Sequence, residues 1–185
     1  MALERAETAP FRTRASEVLA RTGQWALRVD AVEWPDGEQA EYTVLEGPAA
    51  AVIVPVFDDG RTLLVRQWRY SWQESSWEVP AGTLAAGEEP AACAVRELAE
   101  EAGLTASRWT PLGTARGTAV ATVRFHIFLA QGLERVPRAP EPTELDMLVR
   151  EVPLADALDA ALAGDIQHAA SVTAICRAAR ALGTL

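Results

Sequence analysis

The chain has 185 residues, 49% of them apolar, and a formal net charge of −9 at pH 7. That length suits one ordinary domain, with or without a short arm, and the apolar share is enough for a real core. No run approaches the roughly 18 continuous apolar residues of a membrane span, residues 1–14 lack the apolar centre of a signal peptide so the expected compartment is the cytoplasm, and the acidic balance argues against nucleic acid as a partner.

Residues 1–22 are charged and Ala-rich, and composition predicts a partly helical arm. Residues 25–34 alternate, with Trp25, Leu27 and Val29 set against Arg28 and Asp30, as in a half-buried strand. Pro35-Asp36-Gly37 is a turn signal, and residues 41–45 return as a second strand. Residues 50–57 form a continuous apolar run. Asp58-Asp59-Gly60 reads as a hairpin turn, with residues 62–68 pairing back on that run. A short strand at residues 77–79 ends at Pro80. Residues 90–102 predict a helix, with Ala91, Val95, Leu98 and Ala102 at helical spacing and Gly103 as the stop.

Strands are expected at residues 110–115 and 120–130, a loop over 137–142, and a last strand over 145–152. Pro153 opens a helix that Gly164 closes, and Asp165 is a candidate cap for a final helix over 167–182. This order predicts an α/β (α+β) fold, a mixed sheet with helices packed on it. Cys93 and Cys176 lie in apolar surroundings with no CxxC and read as reduced, buried thiols. Trp68 and Trp77 read as core, and His126 and His168 as structural or solvent-facing.

The chemistry concentrates between the strand at 77–79 and the helix at 90–102. Glu97 and Glu101 are four residues apart and share a helix face, and Glu100 lies beside them. Carboxylates so close repel one another, so the clustering gains nothing unless cations neutralise it. Such oxygens are the ligands that Mg²⁺ prefers. Arg96 can hold a neighbouring carboxylate in one rotamer, Glu88 lies near the helix N-terminus where negative charge is favourable, and Gly82 and Gly87 permit a tight loop. Glu97, Glu100 and Glu101 alone would be better read as a solvated acidic helix face, since acidic triplets on helices are common.

The spacing of the whole set is more specific. It runs Gly82, five residues, Glu88, seven residues, Arg96-Glu97-Leu98-Ala99-Glu100-Glu101-Ala102-Gly103-Leu104. It matches at every fixed position the signature of the Nudix hydrolases, which the chain therefore resembles. Leu64-Val65-Arg66-Gln67-Trp68-Arg69, Glu78-Val79-Pro80-Ala81-Gly82 and Gly164-Asp165-Ile166 with the helix after it resemble the ADP-ribose pyrophosphatase branch.

The resemblance implies a Nudix α/β/α sandwich over residues 49–185, preceded by an N-terminal strand arm over 1–48 that serves dimerisation or base contact. It implies a homodimer and a Mg²⁺-dependent hydrolase (Mn²⁺ as substitute) that cuts the diphosphate of a nucleoside diphosphate sugar such as ADP-ribose into two monophosphates. Metal would bind Glu97, Glu101 and the main-chain carbonyl of Ala81, with Glu100 assisting. Arg69 and Glu78 would serve the substrate, although Arg69 also suits a surface residue stabilising the sheet edge. Proton removal could fall to Glu100, Glu101, or the late-loop Glu141 or Glu144, either of which also suits a solvated loop carboxylate. Trp25 and Trp34 suit base stacking, and equally simple packing or a dimer interface.

The chain departs from the branch at Ala115-Arg116-Gly117-Thr118-Ala119-Val120, which lacks the branch's proline and its following Glu. Arg116 is the candidate contact there. The signature does not separate ADP-ribose from a dinucleoside polyphosphate or GDP-mannose. A non-catalytic nucleotide-binding module is the rival of a different class, and such relatives are expected to lose one of Glu97, Glu100 and Glu101, all present here.

Overall fold

The structure is a computed structural model, and it describes residues 8–139 and 146–185. These contain ten strands and three helices: β1 Arg12–Thr22, β2 Trp25–Glu33, β3 Gln39–Glu46, β4 Ala50–Pro55, β5 Arg61–Arg69, β6 Glu74–Glu78, β7 Ala81–Thr83, α1 Pro90–Ala102, β8 Leu104–Ala115, β9 Phe125–Arg135, β10 Leu148–Pro153, α2 Leu154–Ala163 and α3 Ala169–Leu182. They form two compact units. One comprises the described residues up to 48 with 118–123, the other 49–117 with 124–185. Among the described residues no helix is long and apolar enough to cross a membrane.

The first unit is an antiparallel sheet in the order β1-β2-β3. The segment expected to be partly helical is here strand β1, paired with β2 from Arg12 opposite Glu33 to Thr22 opposite Trp25. Alanine content is only a weak local preference for helix, and the edge of β2 offers this segment a full backbone ladder that overrides it. Arg14 adds an ion pair to Glu33 at 2.8 Å. Trp25 lies across Gly47, where any Cβ would run into its ring. Trp34 meets Phe11 edge-on at 5.0 Å between ring centroids.

The second unit carries two sheets, β7-β4-β9-β8, with β4 and β9 parallel, and β10-β5-β6. The continuous apolar run of β4 is buried on both faces, as a central strand requires. Ala51 and Ile53 face one core with Cys93, Ala94 and Leu98 of α1, while Val52 and Val54 face the other with Ala174, Ile175 and Ala178 of α3. Strand β9 divides the same way: Phe128 and Ala130 join the α1 core, Ile127 and Leu129 the α2–α3 core. This is the mixed α+β sandwich expected, with helices on both sides of a mixed sheet.

Helix α1 has the predicted bounds. Pro90 stands at its start, where a missing N–H costs nothing, and Gly103 ends it at φ 64° with its N–H on the Ala99 carbonyl. Leu98 is fully buried at the centre of the α1 face. Leu98→Ala is expected to cost about 2–5 kcal/mol of stability by chemical denaturation, the range for a cavity in a packed core.

Several expectations are corrected. The turn at 58–60 forms, but β5 does not pair back on β4 beyond a single bridge from Val56 to Thr62. Both edges of β4 are occupied, by β7 and β9, so β5 enters the other sheet between β10 and β6. Strand β8 begins directly after the helix stop, at Leu104, because Leu104 pairs with Arg135 of a β9 that lies later in the chain than expected. Asp165 does not cap α3; His168 occupies that position. Trp68 is 51% exposed rather than core, whereas Trp77 is half-buried against the α2–α3 core with Arg150 stacked over its ring at 4.8 Å. Cys93 is buried, but Cys176 only partly so.

Candidate active site

The site is built where β7 meets α1. Strand β7 pairs with β4, Ala81 opposite Val52 and Gly82 opposite Ala51, and so lies against the end of the central sheet. From there the chain loops to α1, whose face toward β7 carries Glu97 and Glu101, both nearly fully buried. The main-chain N–H of Ala81 donates to Oε2 of Glu101 at 2.9 Å, which fixes that carboxylate beside the first residue of β7. At Gly82 a Cβ would collide with the carboxyl carbon and both oxygens of Glu97. Gly82 is therefore required by close approach to a carboxylate rather than by turn geometry. Gly87, at φ 77° with open space around it, is the glycine that the turn itself requires.

Arg96 is the cation of the cluster. It donates to Glu97 Oε1 at 2.6 Å, to Glu100 Oε2 at 3.0 Å, and to both oxygens of Glu88, at 3.0 and 2.9 Å. One guanidinium thus bridges three carboxylates and offsets part of the mutual repulsion that would otherwise splay them, leaving the cluster net negative. Glu88 lies near the helix N-terminus as expected, and its partners add to that placement. It precedes the Glu89 cap, and its carboxylate bridges Arg96 and the N–H of Ala85 at 2.9 Å. Arg96 and that N–H hold the Glu88 carboxyl down at about 2. Burial, followed by the charges of Glu97 and Glu88, pushes the Cys93 thiol up to about 12, so Cys93 is an inert filler behind the loop.

Among the described residues, no three His, Cys, Asp or Glu side chains stand as a ready-made cation cage. The chemistry of the donors nevertheless fits a hard divalent ion. Glu97, Glu100 and Glu101 lie on neighbouring turns of one helix, Glu101 beside the main chain of Ala81, and the Arg96 guanidinium supplies positive charge to Glu97 and Glu100.

A second polar cluster lies at the ends of β5 and β6. Glu78 has no exposed surface, so it is not presented to a substrate as expected. Its Oε1 accepts from Arg69 Nε at 2.7 Å, and its Oε2 from Arg69 Nη2 at 2.5 Å and from His168 at 2.9 Å. Burial alone would raise the Glu78 carboxyl, but the hydrogen bonds from Arg69 and His168 outweigh it and hold it at about 2. A folded pKa below the ordinary 4.5 means that this stabilisation is complete above pH 4.5 and is lost as the pH falls towards 2. In acid titrations of stability, Glu78→Gln is expected to remove on the order of 3 kcal/mol from that limb.

The other candidates are dispersed. Trp25 and Trp34 belong to the first unit, and Arg116 is exposed just after β8. Glu141 and Glu144 lie outside the described residues. His168 is held by Glu78 and Ser171, with little exposure; its contact with a residue 90 positions earlier leaves no mark in local sequence.

The NUDIX domain family matches residues 47–173. The chain is 39% identical over 171 residues to an ADP-ribose pyrophosphatase of Mycobacterium tuberculosis, covering 89% of this chain and 81% of that one. It is 35% identical over 153 residues to an ADP-ribose pyrophosphatase of Bacillus subtilis, covering 80% and 82%. A crystal structure of an ADP compounds hydrolase superposes with a TM-score of 0.84 over 97% of this chain and 98% of that one; at 22% identity it shares the fold. With the signature residues gathered at one loop and helix and the domain matched across most of its length, the chain belongs to the Nudix family of hydrolases.

Proposed function

We propose that this Nudix pyrophosphohydrolase cleaves the diphosphate of a nucleoside diphosphate sugar, with ADP-ribose the leading substrate, into two monophosphates with Mg²⁺ as cofactor. The observation that carries this reading is the grouping of Glu97, Glu100 and Glu101 on neighbouring turns of α1, with Arg96 and the main chain of Ala81 in contact with them. The two ADP-ribose pyrophosphatase relatives favour that substrate.

A diphosphate resists attack because its own oxygens repel the nucleophile. Glu97, Glu101 and the Ala81 carbonyl would hold the metal, with Glu100 assisting, and when bound it supplies charge neutralisation and a more acidic water. Arg96 holds Glu97 and Glu100 in register on the helix face. Arg69, whose Nε and Nη2 are held by Glu78, would supply a guanidinium charge suited to phosphate oxygens. Removal of the water's proton falls to a carboxylate, with Glu100, Glu101, Glu141 and Glu144 as candidates. The exposed apolar residues Val18, Leu19, Leu27 and Tyr42 of the first unit support a homodimer through that sheet, which sedimentation would read as twice the chain mass.

The test is a panel of ADP-ribose, a dinucleoside polyphosphate and GDP-mannose, each incubated with the protein and Mg²⁺. The expected result is the highest kcat/KM on ADP-ribose. A preference for either of the others would overturn the substrate, and no turnover of any would overturn the function.

A further inference from the structure

His168 closes α2–α3 onto the hairpin that carries Arg69. It is the N-cap residue of α3, and its carbonyl accepts from the N–H of Val172 at 3.0 Å. Its Nδ1 lies 2.9 Å from Glu78 Oε2 and 2.9 Å from Ser171 Oγ. Ser171 Oγ in turn accepts from the main-chain N–H of Val79 at 3.1 Å, so the first turn of α3 grips two successive residues, Glu78 and Val79. The imidazole ring is flanked by Trp72, from the turn between β5 and β6, and by Phe125 at the start of β9, with ring centroids 6.2 and 6.4 Å away.

The chemistry of the pair assigns the tautomer. An ionised carboxylate can only accept, so Nδ1 of His168 carries the proton and donates to Glu78 Oε2, whatever the state of Nε2. That same Oε2 receives Nη2 of Arg69, while Oε1 receives Nε. The carboxylate plane is therefore pinned from both sides, by the helix through His168 and by the guanidinium through its fork. A buried carboxylate held on one side only is free to turn about its own axis, and the fork turns with it.

We infer that His168 is a positioning residue: by holding the Glu78 carboxylate and packing against Trp72, it fixes the orientation in which Arg69 meets the substrate diphosphate. The inference rests on the proposed role of Arg69 in substrate binding. It accounts for a Glu–His–Ser chain, buried at Glu78 and Ser171 and partly buried at His168, that the α1 cluster does not use.

The test is steady-state kinetics of the full chain on ADP-ribose with Mg²⁺, together with melting temperatures. His168→Phe keeps an aromatic ring against Trp72 and Phe125 but removes the donor. It is expected to raise KM about tenfold and to change kcat by less than about threefold. His168→Asn restores a donor at the place of Nδ1 and is expected to bring KM back to within about twofold of the wild type. Arg69→Ala is expected to raise KM at least as far as His168→Phe. Should the phenylalanine variant fail to fold, His168→Ala carries the same comparison.

A wild-type KM in His168→Phe, or a lowered melting temperature with no recovery of KM in His168→Asn, would overturn the inference while leaving the enzyme's function intact. A wild-type KM in Arg69→Ala would overturn the role of Arg69 and that of His168 with it. No turnover by the wild type would overturn the proposed function and this inference together.

Discussion

Glu101→Gln is expected to lower kcat on a nucleoside diphosphate sugar by about 10²–10⁴-fold while leaving the fold in place, because it removes a charged hard-oxygen donor worth several kcal/mol to the reaction. The substitution is nearly isosteric. The glutamine carbonyl can still accept from the N–H of Ala81, as Glu101 Oε2 does at 2.9 Å, so the tie between α1 and β7 survives. Glu101 is almost fully buried, and exchanging a buried charge for a neutral amide that keeps its hydrogen bond costs little stability. The measurement is kcat at saturating Mg²⁺ alongside the unfolding free energy. Full activity in this variant would remove Glu101 from the metal site. An activity loss matched by a collapse in stability would mean that the carboxylate is structural.

Gly82→Ala is expected to separate activity from stability in a different way. The backbone at Gly82 does not need a positive φ, so alanine meets no conformational strain there. The collision is with the Glu97 carboxyl group, which cannot stay where Arg96 holds it, 2.6 Å from the guanidinium, once a methyl group arrives. A displacement of about 1 Å in a positioning group can cost 10²-fold, and a fall of about that size in kcat/KM is expected. Stability should fall by about 1–3 kcal/mol, the usual cost of an extra methyl in a packed place. Gly87→Ala is the control. Its φ of 77° makes the substitution strained, yet no atom lies within 4 Å of the new methyl. It should cost about 1 kcal/mol of stability with kcat/KM unchanged. Equal losses of activity in the two variants would show that Gly82 acts as a turn residue after all.

The parts of the molecule that could be read from sequence are those whose causes are local. Helix α1 has the predicted ends because Pro90 and Gly103 act within one turn of themselves, but its buried stripe is only half the expected one: Leu98 and Ala102 are buried, whereas Ala91 and Val95 are exposed and Cys93 and Ala94 take their place. The carboxylate face was legible for the same reason, since residues three and four apart on a helix must be neighbours. Nothing local says that β1 would find the edge of β2, or that β5 would leave β4 for the sheet of β10 and β6. Those outcomes depend on which strand edges are already occupied. Trp68 was expected in the core because it ends an apolar run, but it lies beyond the point where β5 leaves the packed faces and stands 51% exposed.

The polar contacts divide on the same line. Arg96 with Glu100 follows from the four-residue helix spacing, whereas its contact with the adjacent Glu97 and its reach back to Glu88 depend on how the loop before α1 folds against the helix. The pairing of Glu78 with Arg69 and His168 brings together the ends of two strands and the start of the last helix. Sequence reading placed Glu78 at the substrate and took His168 as structural or solvent-facing, with no partner named for it. Burial bears on the first reading: Glu78 has no exposed surface and is held by Arg69 and His168, while the contacts of His168 with Glu78 and Ser171 agree with its structural alternative.

The central claim is that the α1 carboxylates serve the cleavage of a nucleoside diphosphate sugar. It is tested most directly by incubating the wild-type chain with ADP-ribose, with and without Mg²⁺, and resolving the products. The account predicts AMP and ribose phosphate in equal amounts, formed only with the divalent ion. ADP-ribose recovered intact from a folded protein with Mg²⁺ present, or cleaved at the same rate without it, would contradict it.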